Sequence, residues 1–151
     1  VVQDFDAAIN DLTVLVHTDS LSTMAYWQRA VCQHLVNEFD RTHGVQTSDA
    51  PARVMRVRTD LDRAIALAPQ NAYLYYNRGN LHASNGEYSN AIDDYTRALQ
   101  IDAYLAEAYY NRGLAYVKNG KKADGIRDLS RAGELGIYDA YSVIKQISND
   151  K

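Results

Sequence analysis

One cysteine and four histidines are the side chains best suited to nucleophilic or metal chemistry. The histidines are His17, His34, His43 and His82, and no two of them have the spacing of a metal-binding pair. Cys32 and His34 are two positions apart, so on a helix their side chains point in different directions and do not form a Cys–His pair. The sequence therefore predicts no catalytic residue, no metal site and no cofactor, and we expect the protein not to be an enzyme.

Two other local patterns fit structural roles better than chemical ones. The segment Asn77-Arg78-Gly79-Asn80 contains a glycine but falls inside a predicted helix, whereas a phosphate-binding glycine must lie in a loop. Asp93 and Asp94 are adjacent acidic residues, and we expect both to lie on a solvated helix face. Neither pattern predicts a catalytic or phosphate-binding site.

The composition narrows the classes of function. The 151 residues suit one compact domain, 46% of them are hydrophobic, and the formal net charge is -3. A nucleic-acid-binding protein normally carries a basic surplus that neutralises phosphates, so we expect no nucleic-acid partner. The longest early apolar stretch, 14–16, is too short for a signal-peptide core, and no run of about 18 apolar residues predicts a membrane span. The single Cys32 suits a reducing compartment but does not exclude export, so cytoplasm and periplasm both stay open.

A 34-residue repeat is the strongest feature of the sequence. The segment Tyr75–Gly79 recurs as Tyr109–Gly113, and Asn85-Gly86 recurs as Asn119-Gly120. Further matches at the same offset are Ile92, Asp94, Arg97 and Ala98 with Ile126, Asp128, Arg131 and Ala132, and upstream Asp60, Arg63 and Ala64. So many matches at one offset indicate an internal repeat, whose period decides the fold.

This repeat resembles the tetratricopeptide repeat, a pair of helices joined by a turn. The resemblance rests on an early aromatic residue in the first helix, a small residue where the two helices approach, and a late alanine in the second helix. These residues are Tyr75, Gly79 and Ala98 in one repeat, Tyr109, Gly113 and Ala132 in the next, and Tyr26, Ala30 and Ala64 upstream. The resemblance implies an all-α fold, a right-handed superhelix of helix-turn-helix repeats (an α-solenoid) with a C-terminal capping helix.

The resemblance also implies that residues 1–151 form a single tetratricopeptide domain. Its expected parts are a lone second helix at 4–17, repeats at 22–69, 71–104 and 105–138, and a capping helix at 139–148. Apolar periodicity and turn residues predict eight helices. Their ranges are 4–17, 22–42, 51–68, 71–85, 88–101, 105–119, 122–135 and 139–148.

The repeat at 22–69 carries a 15-residue insertion near 38–53. Ser48 or Asp49 is suited to cap the following helix, with Pro51 in its first turn. We therefore expect both helices of this repeat to be extended by about two turns, with a loop around His43-Gly44. Such a hairpin could contact a partner, or it could be a tolerated surface insertion.

The resemblance implies that the first helices line a concave groove that binds a protein or peptide. The residues expected to point into the groove are Trp27, Gln28, Tyr73, Tyr76, Asn77, Asn80, Glu107, Tyr110, Asn111, Tyr141 and Lys145. Aromatic rings offer a large contact area at low entropic cost, and asparagine amides can bond both groups of a peptide backbone.

Several of these positions have an alternative structural interpretation. Tyr76 and Tyr110 could equally pack within the stack, whereas Asn77 and Asn111 favour binding because an inward-facing amide contributes little to packing. Some members of the family hold a partner's C-terminal carboxylate with basic groove residues. Asn77 fits that pattern, but Glu107 stands where a basic residue is needed, so we expect no high-affinity binding of chaperone tails.

Arginine and aspartate recur in every repeat. The arginines are Arg29, Arg78 and Arg112, and the aspartates are Asp11, Asp60, Asp94 and Asp128. We expect them to form surface salt bridges between adjacent helices, each contributing less than about 1 kcal/mol.

Two functions follow from these patterns. The first is a scaffold that binds a protein or peptide through the concave groove. The second is a self-associating structural segment of a longer solenoid, with the partner site in a missing N-terminal part. Exposed Trp27 and Tyr141 would then mark a packing interface of a homo-oligomer. The sequence begins in mid-repeat, and the stretch 128–136 is similar to the ends of repeat proteins from Bacteroidetes-type bacteria. From the start in mid-repeat we expect a C-terminal fragment of a larger protein, with further repeats before residue 1. The similarity of 128–136 implies a bacterial source.

Overall fold

The computed structural model describes residues 2–19 and 21–149, and every described regular element is an α-helix. The helices are α1 (Val2–Thr18), α2 (Thr23–Thr42), α3 (Ala50–Leu67), α4 (Ala72–Ser84), α5 (Tyr88–Ile101), α6 (Ala106–Lys118), α7 (Lys122–Glu134) and α8 (Asp139–Asn149). These bounds confirm the eight predicted helices and the all-α fold class. The division of the helices into repeats and a cap stays a prediction.

The chain divides into two compact units, Val1–Gln70 and Asn71–Lys151, here called unit 1 and unit 2. Unit 1 contains α1 to α3, and its core includes Val16, Ala30, Val36 and Leu61. Ser22 caps α2, because its hydroxyl accepts a hydrogen bond from the backbone N–H of Ala25.

The α2–α3 hairpin of unit 1 has longer helices than the helix pairs of unit 2, and Asp49 stands at the start of α3 without a side-chain cap bond. Gly44 has φ +67° in the turn that follows α2, and Asp49 precedes α3, whose first turn contains Pro51. Near the end of the hairpin, Arg53 of α3 donates to Asp40 of α2 at 2.8 Å, and both side chains are largely buried. This ion pair links α2 and α3 near the end of the hairpin, in the part by which they exceed the length of the other helix pairs.

Unit 2 contains α4 to α8, and glycines allow its helices to approach closely. A Cβ atom on Gly79 of α4 would lie 2.7 Å from the ring of Tyr95 on α5. A Cβ atom on Gly113 of α6 would lie 2.9 Å from the backbone oxygen of Gly125 on α7. The small residues of the repeat therefore set the spacing between the helices of each pair.

In the described part of the chain, no helix combines the length and apolar character needed to cross a membrane.

Candidate functional site

The recurrent arginines and aspartates form ion pairs within three helix pairs. Arg29 pairs with Asp60, Arg78 with Asp94, and Arg112 with Asp128, at 2.6 to 2.7 Å. Each arginine bonds both carboxylate oxygens of its partner through Nε and Nη2. The hydrogen bond from Arg29 to Asp60 raises the arginine pKa, and burial opposes that shift. The predicted pairing between adjacent helices is confirmed for these residues.

The predicted surface location of these pairs is wrong. Asp60, Asp94 and Asp128 are buried, with Asp94 only 6% exposed. Asp93 is exposed as expected, but its neighbour Asp94 lies about 100° further around α5, where it accepts a hydrogen bond from Arg78. The acids lie inside the helix pairs because the small residues bring the helices too close for water to reach them.

A hydrogen-bond network joins α4, α5 and α6 in unit 2. The amide nitrogen of Asn111 donates to the hydroxyl of Tyr76 at 3.1 Å and to Oδ1 of Asn80 at 3.0 Å. The hydroxyl of Tyr95 donates to the same Oδ1 at 2.8 Å. Burial raises the pKa of Tyr95, with the neighbouring Tyr76 and Asp94 adding to the shift, so this hydroxyl keeps its proton as a donor. Asn111 therefore has a structural role that the sequence did not indicate.

A cleft of about 260 Å³ opens beside this network. It is lined by Asn80 and Ala83 of α4, Tyr88 and Tyr95 of α5, and Asn111, Leu114, Ala115 and Lys118 of α6. Two amide atoms at this cleft, Nδ2 of Asn80 and Oδ1 of Asn111, make no hydrogen bond among the described residues. Neither atom is sealed from solvent. We call this the unit 2 cleft.

The other predicted groove residues of unit 2 differ in exposure. Tyr73 is 53% exposed, and Glu107 and Lys145 are also exposed. Asn77 is partly exposed, and its side chain makes no hydrogen bond in the described part of the chain. Tyr110 is partly buried and packs against the cluster around Leu129 and Ala140. Tyr141 is 49% exposed, but the end of its ring covers Gly133, where an added Cβ would approach it to 2.5 Å.

Trp27 and Gln28 lie in unit 1. They line a separate cleft of about 490 Å³ between α1 and α2. Trp27 is partly buried, and its indole Nε1 is sealed from solvent without a hydrogen-bond partner. The expectation that Trp27 is an exposed aromatic residue is therefore wrong, because the ring lies against the α1–α2 surface.

A second cavity in unit 1, of about 500 Å³, is lined by groups of both charges. Arg29, Arg53 and Arg56 face it, together with Asp6 and Asp49. Arg29 and Arg53 are already bound to other acids, and Arg56 lies 3.6 Å from Asp49. Because the charges offset one another, the lining has no preference for a ligand of one sign.

Cys32, His34 and His82 have surroundings that the structure describes in detail. Burial raises the pKa of the Cys32 thiol and lowers the pKa of the His34 imidazole, so Cys32 favours the unreactive thiol. His82 contacts Glu87 through Nδ1, and its Nε2 lies 3.7 Å from Asp94. Among residues 2–19 and 21–149, no three histidine, cysteine or acidic side chains are grouped to hold a metal ion.

Several residues of the unit 2 cleft were not among the predicted site residues. Leu114 lies one 34-residue period after Asn80, so the repeat itself could have identified it. Lys118 is one helical turn further along α6. Tyr95 belongs to a second helix, and only the packing of α5 between α4 and α6 reveals its hydroxyl at this site.

Three comparisons place this architecture among known proteins. Family models described as TPR repeat and tetratricopeptide repeat match residues 79–120, 61–93 and 106–135. A comparison with curated protein sequences gave no match.

The fold is shared with solved structures of modest sequence identity. A crystal structure of MamA protein is 26% identical, with a TM-score of 0.73 over 91% of this chain and 67% of that chain. TTC0263, a thermophilic TPR protein of Thermus thermophilus, is 16% identical, with a TM-score of 0.79 over 95% and 73%. The second TPR domain of human RPAP3, solved in complex with an HSP70 peptide, is 25% identical, with a TM-score of 0.61 over 78% and 99%. The three matches together identify residues 61–135 of this chain as tetratricopeptide repeats.

Proposed function

We propose that this chain is a non-catalytic protein-interaction module that binds an extended peptide segment in the unit 2 cleft. The contacts would come from Asn80 and Asn111, with Asn77, Tyr73, Glu107 and Lys145 as flanking residues. Binding at this position leaves the ion pairs inside the helix pairs untouched.

The proposal is carried by two amide atoms at the cleft that make no hydrogen bond among the described residues, the oxygen of Asn111 and the nitrogen of Asn80. Asn111 uses its nitrogen on Tyr76 and Asn80, which leaves its oxygen as an acceptor. Asn80 uses its oxygen on Tyr95 and Asn111, which leaves its nitrogen as a donor. A peptide backbone offers one N–H and one C=O per residue, so it complements this pair. Because the network holds both amides in place, little side-chain entropy would be lost on binding.

Related structures support a peptide as the ligand class. RPAP3 domains have been solved with the chaperone peptides SRMEEVD and SGPTIEEVD. Both peptides have an acidic end, and here Glu107 is an exposed acidic residue on α6. We therefore expect the preferred peptide to be less acidic than these tails, with the tail affinity weaker than micromolar.

The test is a peptide-array screen with the purified chain, followed by fluorescence anisotropy on the best peptides. Asn77→Ala removes an amide with no internal bond, and Asn111→Ala removes the cleft acceptor. Gln100→Ala is the matched control, because it deletes an exposed amide on the second helix α5.

We expect both asparagine variants to weaken binding at least fivefold while the Gln100 variant binds as the native chain does. Circular dichroism and thermal unfolding must show that Asn111→Ala remains folded at the assay temperature. Selected peptides whose affinity is equal in all four proteins would contradict the proposed site. Micromolar binding of SRMEEVD would contradict the expected preference against acidic tails.

A further inference from the structure

The cleft between α1 and α2 in unit 1 is an apolar surface with two unused polar groups at its edge. Ala8, Leu12, Trp27 and Val31 supply most of its lining. Asp11 and Gln28 complete it, and both side chains are accessible to solvent. Neither Asp11 nor Gln28 forms a side-chain hydrogen bond or ion pair within the described residues.

Each residue of this cleft has a counterpart in unit 2 at a constant offset of 83 positions. Asp11 corresponds to Asp94, and Gln28 corresponds to Asn111. The apolar residues follow the same offset, so that Ala8, Leu12, Trp27, Val31 and Cys32 correspond to Ala91, Tyr95, Tyr110, Leu114 and Ala115. Five of the counterparts form the face that α5 and α6 present to α4: Ala91, Asp94, Tyr95, Asn111 and Ala115. Tyr110 and Leu114 pack instead against the cluster around Leu129.

In unit 2, α4 packs against part of that equivalent face and leaves the unit 2 cleft beside it. Tyr76 and Ala83 of α4 pack against the cluster of Ala91, Ile92, Tyr95 and Ala115. Gly79 allows α4 to approach the Tyr95 ring, since any Cβ at this position would overlap it. Among the described residues of unit 1, no helix covers the corresponding apolar residues.

The polar groups show the same difference. Arg78 on α4 bonds both oxygens of Asp94, and Asn111 donates to Tyr76 and Asn80 on α4. Asp60 and Asp128, the other aspartates of the series, also have an arginine partner. Asp11 is the one member of the series that lacks an arginine among the described residues. The α1–α2 cleft thus lacks both the apolar cover and the cation that complete the equivalent face.

We propose that the α1–α2 cleft binds a helix of the α4 type, contributed by a tetratricopeptide unit other than those described in this structure. The helix carries an arginine followed directly by glycine or alanine, with a tyrosine two positions before the arginine. The arginine pairs with Asp11, the small residue lies over Leu12, and the tyrosine hydroxyl bonds Gln28. Leu12 suits a small neighbour, because Leu129, at the equivalent position of α7, lies against Gly113 of α6.

The probe is a helix-stapled, fluorescein-labelled peptide with the sequence of residues 71–85, which contains α4 and its Asn71 cap. Its matched control has the arginine equivalent to Arg78 replaced by aspartate. Binding to the full chain is followed by anisotropy, and the alkylation rate of Cys32 reports on coverage of the cleft, since Cys32 lines it. Asp11→Arg is the chain variant, chosen because Asp11 is exposed and bonds no described residue.

We expect the native peptide to bind the native chain and to slow Cys32 alkylation at least fivefold. The charge-reversed peptide should bind at least tenfold more weakly, and it should regain affinity for the Asp11→Arg chain. Equal affinity of both peptides for the native chain, or unchanged alkylation at saturation, would overturn the proposal.

A fused variant tests the same contact where intermolecular affinity is too low to measure. Residues 70–87 are joined directly before Phe5, the counterpart of Tyr88, so that the helix is present at high effective concentration. We expect the fusion with arginine to raise the thermal midpoint and protect Cys32, and the fusion with aspartate to do neither. Two fusions of equal stability and equal alkylation rate would overturn the proposal. A different result is a dimer of the native chain in which Cys32 is already protected and which Asp11→Arg dissociates. This result would overturn the proposal and assign the cleft to a second copy of the chain.

Discussion

Arg112 on α6 donates two hydrogen bonds to the carboxylate of Asp128 on α7, at 2.6 Å from Nε and 2.9 Å from Nη2. A third donor, Nη1, bonds the hydroxyl of Thr96 on α5 at 3.0 Å, and the guanidinium lies over the rings of Tyr109 and Tyr116. Burial lowers the pKa of Arg112, but its bonds to Asp128 outweigh this and raise it overall. One side chain therefore links three helices of unit 2.

Replacement of Asp128 should destabilise the protein strongly. Asp128→Ala leaves Arg112 largely buried without its counter-charge, which costs about 3–5 kcal/mol in buried pairs. Urea unfolding followed by circular dichroism measures the change. The control is Glu134→Ala, which breaks the exposed pair with Arg131 and should cost less than about 1 kcal/mol. Similar losses in the two variants would show that the Arg112–Asp128 pair behaves as a surface contact.

Gly113→Ala should be destabilising although alanine is the better helix former. The new Cβ would lie 2.9 Å from the backbone oxygen of Gly125, so α6 and α7 must separate, at about 1–3 kcal/mol. Gly133→Ala is the matched control, because its Cβ meets the end of the half-exposed Tyr141 ring, which can swing toward solvent. We expect thermal unfolding to show a clear loss for the first variant and little change for the second. A larger loss for Gly133→Ala would contradict this account of the helix contact.

Two asparagines that occupy equivalent repeat positions should differ in stability. Asn111→Ala removes the donor shared by Tyr76 and Asn80, with an expected loss of about 1–3 kcal/mol. Asn77→Ala removes a partly exposed amide without an internal bond, so its effect should stay within about 0.5 kcal/mol. Urea unfolding of both variants measures the difference, and equal losses would mean that the network contributes nothing to stability.

His34 should make the protein less stable below neutral pH. Burial lowers its folded-state pKa, which Glu38 partly opposes and Arg41 reinforces, so the unfolded chain binds the proton more tightly. Its contribution is fully present above the unfolded pKa of about 6.5 and is lost as the pH falls toward the folded pKa.

His34→Gln tests this dependence through urea unfolding at about pH 7.5 and about pH 5.5. The variant should lose less stability between the two pH values than the native chain does. His17, His43 and His82 are present in both proteins, so their contributions cancel in the comparison. An unchanged difference between the two pH values would exclude His34 as a source of the acid sensitivity.

The 34-residue period accounts for the success of the fold prediction. Helix ends follow from local chemistry, such as the Ser22 cap and the left-handed glycine that follows Asn85, and these act within a few residues. The largest shift is at α1, which begins at Val2 rather than at residue 4. Gly79 and Gly113 were identified as close helix contacts because their size is visible in the sequence and recurs at a fixed position.

The roles of individual polar residues depended on the tertiary structure. The sequence by itself determined that Asp94 and Asn111 recur in repeats, but solvent exposure depends on how closely a neighbouring helix approaches. Asp94 is buried because Gly79 brings α4 and α5 together, and Asn111 is bonded because α4 places Tyr76 and Asn80 beside it. Asp11 has the same residue type and register as Asp94, yet no described helix brings it an arginine. Residue type and period are properties of the chain alone, whereas burial and hydrogen bonding belong to pairs of elements, and only the packed structure determines them.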